Sequence, residues 1–185
     1  MRLVEVTTQQ PSEFRKKVAQ PRFDSPRKVA IVGAGISGLF AARTLVDHGL
    51  DVTVFEKSRG IGGRMSTRRT EGFGQFDHGA QYFTSDDRRF SRYLHAWRQQ
   101  GLVAQWPDPD SGQKIVVIKN GAIESESNNR ERFVAVPAMN SIGKHLAADL
   151  NTFLQTRVAS INPTVGGHEV FDDKGERYGT VRLTR

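Results

Sequence analysis

The sequence has no cysteine among its 185 residues. That absence excludes a disulfide scaffold, a thiolate metal site and a cysteine nucleophile. No apolar run approaches the roughly 18 residues that a transmembrane helix needs, so no membrane partner is expected. An apolar share of 37% argues against a chain that is disordered throughout. What remains is a globular chain of one domain, or two small ones, at roughly 100–200 residues per domain.

The first 27 residues carry no targeting signal. They lack the apolar stretch of a secretory leader, and Glu5, Glu13 and Asp24 interrupt the acid-poor pattern of a mitochondrial presequence. We therefore expect residues 1–27 to be a weakly ordered extension. The expected location of the protein is the cytoplasm.

The charge balance is basic, with 27 Lys and Arg against 20 Asp and Glu, a net charge of +7. A nucleic-acid surface gathers such charges on one face. Here acids are interleaved, since Arg88 and Arg89 follow Asp86 and Asp87 directly. We therefore expect a small-molecule substrate and no nucleic-acid partner, and the sequence leaves the oligomeric state open.

A strand–helix–strand pattern opens the ordered part. Lys28–Val32 is a continuous apolar run typical of a buried parallel strand. The three- and four-residue spacing of apolar residues predicts a helix over Ile36–His48, ended by Gly49, and Leu50–Phe55 is a second strand. Elements this close form one parallel βαβ unit.

After the extension, the pattern of predicted helices and strands indicates an α/β chain that divides into three segments. Residues 28–84 are expected to form a Rossmann-type cofactor-binding part. Residues 85–149 are expected to form a partial α+β substrate domain, with a helix carrying Phe90, Leu94 and Trp97 and a hairpin turn at Asn120-Gly121. Residues 150–185 return to the cofactor domain as a β-meander of Phe153–Ile161, Glu169–Asp172 and Arg177–Val181, with turns at Asn162-Pro163 and Asp173-Lys174-Gly175.

A glycine motif of the type that binds dinucleotides, Gly33-x-Gly35-x-x-Gly38, lies between the first strand and the helix. Gly33 permits a tight turn, Gly35 leaves room for a pyrophosphate, and Gly38 lets helix and strand pack closely. The pyrophosphate then meets the free amides and positive dipole of the helix. The motif alone is a weak signal, and its strand–helix context makes it specific.

Two later features specify the dinucleotide further. Glu56 ends the second strand, 18 residues past Gly38, where an acid accepts hydrogen bonds from ribose hydroxyls and repels a 2′-phosphate. Gly62-Gly63-Arg64 follows, where backbone and a charge-assisted contact reach the far side of a pyrophosphate, which favours FAD over NAD. A solvated strand end and an ordinary glycine turn are the alternatives for these two features.

With these motifs in view, the sequence resembles the flavin-containing amine oxidase superfamily, and within it the renalase-like branch. The resemblance rests on Val29–Gly38, Glu56-Lys57, Gly62–Met65, Phe76–Thr84 and Phe133–Ile142, and it covers about residues 28–178. It implies an FAD-dependent oxidoreductase with a Rossmann-type FAD-binding core.

The resemblance also implies residue roles. Gly33, Gly35, Ser37 and Gly38 would hold the pyrophosphate, Glu56 with Lys57 the adenosine ribose, and Gly63 and Arg64 the phosphates and the start of the ribityl chain. Gly79, Ala80 and Gln81 would pass beside the isoalloxazine ring, and Val158 would meet the adenine through its backbone.

No catalytic side chain is assigned. His78 is expected to be solvated, Tyr82 and Phe83 to pack under the flavin, and Trp97 to lie in a core, although Trp97, Trp106 and Phe133 are also candidates for an apolar ceiling over the substrate. No nucleophile elbow or zinc pattern is present. Flavin N5 would accept a hydride from an amine or a dihydronicotinamide-type donor, with oxygen as electron acceptor.

Two alternatives stay open. Enzymes of this family continue well beyond residue 185 and return an apolar strand to the sheet after the meander, whereas Thr180–Arg185 alternates with charge. The chain is therefore also expected to fit a truncated, inactive dinucleotide-binding remnant. The second alternative is an NAD-binding Rossmann module, which Gly62–Arg64 and Asp77–Tyr82 argue against.

Overall fold

The computed structural model describes residues 28–125 and 130–181. The predicted extension and most of Thr180–Arg185 lie outside the described residues. The strands are β1 (Lys28–Val32), β2 (Asp51–Phe55), β3 (Thr67–Thr70), β4 (Gly74–Asp77), β5 (Val103–Gln105), β6 (Val116–Lys119), β7 (Ala122–Ser125), β8 (Phe133–Ala135), β9 (Asn151–Phe153), β10 (Val158–Thr164), β11 (Gly167–Asp172) and β12 (Arg177–Val181). The α-helices are α1 (Ile36–Asp47), α2 (Arg88–Gln99) and α3 (Ser141–Ala147).

A parallel sheet in the order β1-β2-β9 forms the centre of the fold. Side chains alternate across it, so Val52 and Val54 pack with α1 and α3, and Phe55 points to the opposite face. On that opposite face Phe55 meets Phe153 and Tyr178, with ring centroids 5.6 and 5.1 Å away. The sheet therefore lies between a helical layer and the β10-β11-β12 meander.

The predicted βαβ unit and the Asn120-Gly121 hairpin are confirmed. The predicted strand Phe153–Ile161 is wrong, because Phe153 ends β9 in the parallel sheet and a separate strand begins at Val158. The predicted turn at Asn162-Pro163 is also wrong. Pro163 lies inside β10 opposite His168, and β10 is an edge strand of its sheet, where a missing N–H costs no ladder bond.

The region between β4 and β9 holds the second part of the hydrophobic core. Trp97 of α2 is 3% exposed and meets Phe40 of α1 at 5.7 Å, so the prediction that it lies in a core is confirmed. Phe133 is 2% exposed and belongs to the same core. Within the described part of the chain, no helix is long and apolar enough to cross a membrane.

Arg43 ties the two helices of the central layer together. Its Nε and Nη2 donate to the Leu146 carbonyl at 3.3 and 3.1 Å, and Nη2 also donates to the Ala148 carbonyl. These carbonyls close α3, so a cation here satisfies groups that a helix end leaves unpaired.

Replacing Arg43 with methionine keeps the apolar stem and removes these hydrogen bonds. We expect the free energy of unfolding to fall by about 1–3 kcal/mol, since hydrogen bonds from charged groups are the stronger kind. Urea denaturation followed by circular dichroism measures the change. Arg92→Met, on the exposed side of α2, is the matched control and should stay within about 0.5 kcal/mol of the wild type; equal losses in both variants would contradict the capping role.

Candidate functional site

The first glycine turn, Gly33–Gly38, leads from β1 into α1. Gly33 has a φ of +103°, which favours glycine, and its N–H donates to the Phe55 carbonyl at 2.7 Å. A Cβ at Gly38 would overlap the Gly33 carbonyl oxygen. Gly35 is the N-cap of α1, with no side-chain hydrogen bond to cap the helix and nothing within 4 Å of its would-be Cβ. This helix N-terminus is therefore uncapped and has free space beside it, which is what a helix N-terminus needs in order to bind an anion.

Glu56 stands beside this turn at the carboxyl end of β2. Its side chain is only 7% exposed. Oε2 accepts a hydrogen bond from the Ala34 N–H at 2.8 Å, and Oε1 accepts one from the Ser58 N–H at 2.8 Å. Burial acts to raise the pKa of Glu56, but the hydrogen bonds from Ala34 and Ser58 and the charge of Lys57 outweigh it and hold the pKa below its usual value. The carboxylate is therefore ionised at neutral pH and aimed into the turn.

This lowered pKa predicts how stability depends on pH. Asp172 behaves alike: burial acts to raise its pKa, yet the backbone N–H groups of Glu176 and Lys174 and the Tyr178 hydroxyl keep it low. A carboxyl whose pKa is lower in the folded state stabilises the fold above its unfolded pKa, about 4, and loses that contribution as pH falls through the folded value.

Urea midpoints measured from neutral pH down to about pH 3 should therefore fall with acid over the carboxyl range. In Glu56→Gln the fall should be smaller, because the substituted side chain no longer titrates. The same acid dependence in wild type and variant would show that Glu56 carries no linked proton.

The second glycine turn, Gly60–Arg64, lies directly on the first. The Gly62 N–H donates to the Ala34 carbonyl at 2.9 Å, and a Cβ at Gly63 would lie 3.1 Å from the Cα of Gly35. Gly62 and Gly63 have φ values of +116° and +55°. One turn of 3₁₀-helix over Gly63–Met65 then leaves the Arg64 side chain exposed. The two glycine-rich segments thus form a single surface.

The third predicted segment joins this surface at Arg64. The Ala80 N–H donates to the Arg64 carbonyl at 2.7 Å, and a Cβ at Gly79 would overlap that carbonyl. Gln81 follows, exposed to solvent. Gly79 therefore permits the close approach, and the predicted ring-side residues lie next to the predicted phosphate-side residues.

Val158 starts β10 on the other side of Glu56. Two residues before it, the Thr156 N–H donates to the Glu56 carbonyl at 2.9 Å, and Val158 itself is partly buried against the Phe55–Val170 cluster. Ser37 and Lys57 are exposed. The structure thus brings the first glycine turn into direct contact with both Glu56 and the second glycine turn, and it places Val158 two residues beyond the Thr156 N–H that binds the Glu56 carbonyl.

Asp77 is a residue that the sequence analysis missed. Its Oδ1 accepts the Thr67 hydroxyl at 2.5 Å, and both carboxylate oxygens lie 3.2 Å from the Met139 N–H. The side chain thereby fastens the β3–β4 hairpin to the segment before α3. Asp77 is the first residue of the Asp77–Tyr82 motif, so the sequence marks the position, but spacing alone does not predict that Thr67 and Met139 are its partners.

A cavity of about 480 Å³ opens next to the α1 N-terminus, and we name it the aromatic cavity. Ser37, Met65 and Phe83 line one side, and the α2 rings Phe90, Tyr93 and Trp97 line the other. Such an apolar lining suits the non-polar part of a small ligand. Among the described residues no group of three or more His, Asp or Glu is placed to bind a metal ion.

Comparison with known proteins agrees with this geometry. Residues 31–97 match the family model described as an NAD(P)-binding Rossmann-like domain. The chain is 46% identical over 52 residues to the 4,4'-diapophytoene desaturase (4,4'-diaponeurosporene-forming) of Staphylococcus aureus strain Newman, and equally to that of strain USA300. That match covers 28% of this chain and 10% of the desaturase.

Two solved structures of putrescine oxidase share the fold. A mutant from a redesign of cofactor binding has a TM-score of 0.59 and 16% identity, over 82% of this chain and 56% of that one. The wild type bound to putrescine has the same TM-score and identity, over 83% and 56%. The chain therefore spans little more than half of these neighbours' length. The predicted α/β fold with a Rossmann-type core is confirmed.

Proposed function

We propose that this chain binds FAD in an extended conformation across the two glycine turns and is the cofactor-binding part of an FAD-dependent oxidoreductase. The contact of the second glycine turn with the first, at the open N-terminus of α1, is the observation that carries the proposal. Backbone from two segments then faces one pyrophosphate, and Arg64 adds a cation. The desaturase and putrescine oxidase likenesses support the same class.

Each predicted residue has a role in this proposal. Gly33, Gly35, Ser37 and Gly38 hold the pyrophosphate, and Gly63 with Arg64 holds its far side and the ribityl chain. Glu56, next to Lys57, accepts hydrogen bonds from the adenosine ribose. Val158 offers its backbone to the adenine, and Gly79, Ala80 and Gln81 flank the ring.

The residues present fit this cofactor. Gly35 has free space where a side chain would stand, as a close-lying pyrophosphate requires. The ionised Glu56 suits a ribose diol and opposes a 2′-phosphate. NAD is the second candidate, because the matched family is described as NAD(P)-binding. The second glycine turn favours FAD, since NAD has no ribityl arm for it to support.

When bound, FAD accepts a hydride at N5 and passes two electrons onward. We propose an amine or a dihydronicotinamide-type compound as the donor, in amine oxidase-like or renalase-like chemistry, and oxygen as the acceptor. Residues 85–149 supply the substrate side, and the aromatic cavity takes the apolar part of the donor. The chain's task is to orient the donor carbon and exclude water. The proposed location is the cytoplasm.

Titration of the purified chain with FAD and, separately, with NAD tests the cofactor. Saturable quenching of flavin fluorescence at one FAD per chain, with weaker binding of NAD, is expected. Binding of NAD but not FAD would replace the proposal with the NAD module.

Anaerobic mixing of the FAD-loaded chain with an amine such as putrescine, and with a dihydronicotinamide, tests turnover. Bleaching of the flavin absorbance by either donor is expected, and readmission of oxygen should restore the colour. Tight FAD binding without bleaching by either class would leave a dinucleotide-binding chain that does not turn over.

A further inference from the structure

A second cavity, of about 1050 Å³, carries chemistry that the FAD proposal does not use. Its walls come from the second glycine turn, β3, α3 and β9. Arg64, Glu56 and Ser37 are not among its lining residues, so it is distinct from the surface assigned to FAD although the two share Gly60, Ile61 and Gly63. We call it the basic cleft.

The charge of the basic cleft has one sign. Arg59, Arg68, Arg69 and Lys144 line it together with His78, and none of the lining residues is an aspartate or glutamate. None of these four cations has an ion pair within the described residues. Glu56 and Asp77 are bonded to backbone N–H groups, and Glu71, in the turn between β3 and β4, does not line the cleft. Clustered cations with no carboxylate in the same lining focus a positive potential that attracts an anion.

A buried amide adds an independent observation. Asn140 lines the cleft and is 7% exposed, and its Oδ1 is buried without a hydrogen-bond partner. Buried polar groups in folded proteins are nearly always paired, so an orphan in a cavity wall points to a ligand that completes it. A carbonyl oxygen accepts only, and it therefore needs a hydroxyl or N–H donor.

Two hydroxyl side chains in the lining of the cleft also suit a polar ligand. Ser66 and Thr67 line the cleft, and the Ser66 Oγ lies 3.5 Å from the His78 Nε2. Guanidinium groups bind phosphate oxygens in pairs of parallel hydrogen bonds. A ligand that suits both the cations and the Asn140 amide oxygen therefore carries a phosphate group and free hydroxyl groups.

We propose that the basic cleft binds a phosphorylated small molecule with free hydroxyl groups, of the sugar phosphate class. The phosphate lies between Arg69 and Lys144, and a hydroxyl donates to Asn140; Arg68 adds positive charge from the neighbouring position of β3. Because the cleft and the FAD surface share the second glycine turn, both ligands bind the same loop from different sides.

Calorimetric titration with ribose 5-phosphate tests the proposal, with inorganic phosphate and ribose as separate probes. The protein is saturated with FAD beforehand, or used alone if it binds none. Binding at one molecule per chain is expected, at least tenfold tighter than that of either separate probe.

The variants assign the site. Arg68→Ser combined with Arg69→Ser should weaken ribose 5-phosphate binding tenfold or more. The control pair Arg88→Ser with Arg92→Ser removes the same charge from exposed positions of α2 and should change it less than twofold.

Three results would overturn the proposal. These are no binding, equal losses in both double variants, and inorganic phosphate binding as tightly as ribose 5-phosphate. A single-stranded oligonucleotide that displaces ribose 5-phosphate at lower concentration would assign the cleft to nucleic acid instead. Failure here leaves the FAD titration unaffected.

Discussion

Gly38→Ala is expected to lower the thermal unfolding midpoint markedly and to abolish FAD binding, because the added Cβ overlaps the Gly33 carbonyl oxygen. The blocking atom belongs to the backbone of Gly33, whose N–H donates to the Phe55 carbonyl and whose φ is positive. A backbone carbonyl cannot change rotamer to make room, as a side chain could. The Ile31 side chain closes another direction, at 3.4 Å from the added carbon.

The size of this effect follows from overpacking, which costs about 1–3 kcal/mol even where side chains can shift. For a chain of this length each kcal/mol lowers the midpoint by about 2–4 °C. Gly60→Ala is the matched control, since nothing lies within 4 Å of its would-be Cβ and its φ is not in the left-handed region. Circular dichroism melts and flavin fluorescence measure the two readouts. If Gly38→Ala melts with the control, the close helix–strand packing is not required.

Glu56→Gln is expected to weaken FAD binding by about tenfold to a hundredfold. The charge-assisted hydrogen bonds of a carboxylate to ribose hydroxyls are worth about 1.5–3 kcal/mol, and 1.4 kcal/mol is tenfold in affinity. The substitution also turns one buried acceptor into a donor that faces the N–H of Ala34 or Ser58. The free energy of unfolding should therefore fall by about 1–3 kcal/mol as well.

Two measurements separate these consequences. The FAD dissociation constant reports the ribose contact, and the urea midpoint reports the turn. Glu71→Gln, an exposed glutamate in the β3–β4 turn, makes the same chemical change and should alter neither. Stability that falls while FAD affinity stays the same would remove the ribose role from Glu56 and leave it a structural acid.

The sequence was most informative where chemistry is local. The β1–α1–β2 unit, the first glycine turn and the position of Glu56 follow from spacing within about 30 residues, because short-range sterics and periodicity set them. The hairpin at Asn120-Gly121 is local in the same way. These features are also the ones that hold the proposed pyrophosphate and ribose.

Contacts between segments that are distant in the sequence cannot be predicted from the local spacing of residues. β9 is Asn-Thr-Phe, which lacks the apolar run of a buried parallel strand, and it joins the sheet because Glu56 and Phe153 pair through their backbones. Arg43 lies within the predicted helix Ile36–His48, but the carbonyls that it binds lie 103 and 105 residues further along the chain. Pro163 belongs to a predicted turn, and its position on an edge strand explains why a strand accepts it.

The basic cleft illustrates the same limit for function. The family resemblance implies a phosphate role for Arg64 and none for Arg68 or Arg69. The structure separates them, since Arg68 and Arg69 line the cleft and Arg64 does not. Part of the net charge of +7 is thereby assigned to a different surface.

The most direct test of FAD binding at the first glycine turn is the FAD affinity of Gly35→Ser. Gly35 has a φ of −73° and empty space around its would-be Cβ, and serine is a favoured N-cap, so the fold should be as stable as the wild type or more so. The new hydroxyl would occupy the space of the pyrophosphate and compete for the same N–H groups of α1. The account predicts an unchanged or higher melting midpoint with FAD binding weakened at least tenfold. Wild-type FAD affinity in this variant would contradict it.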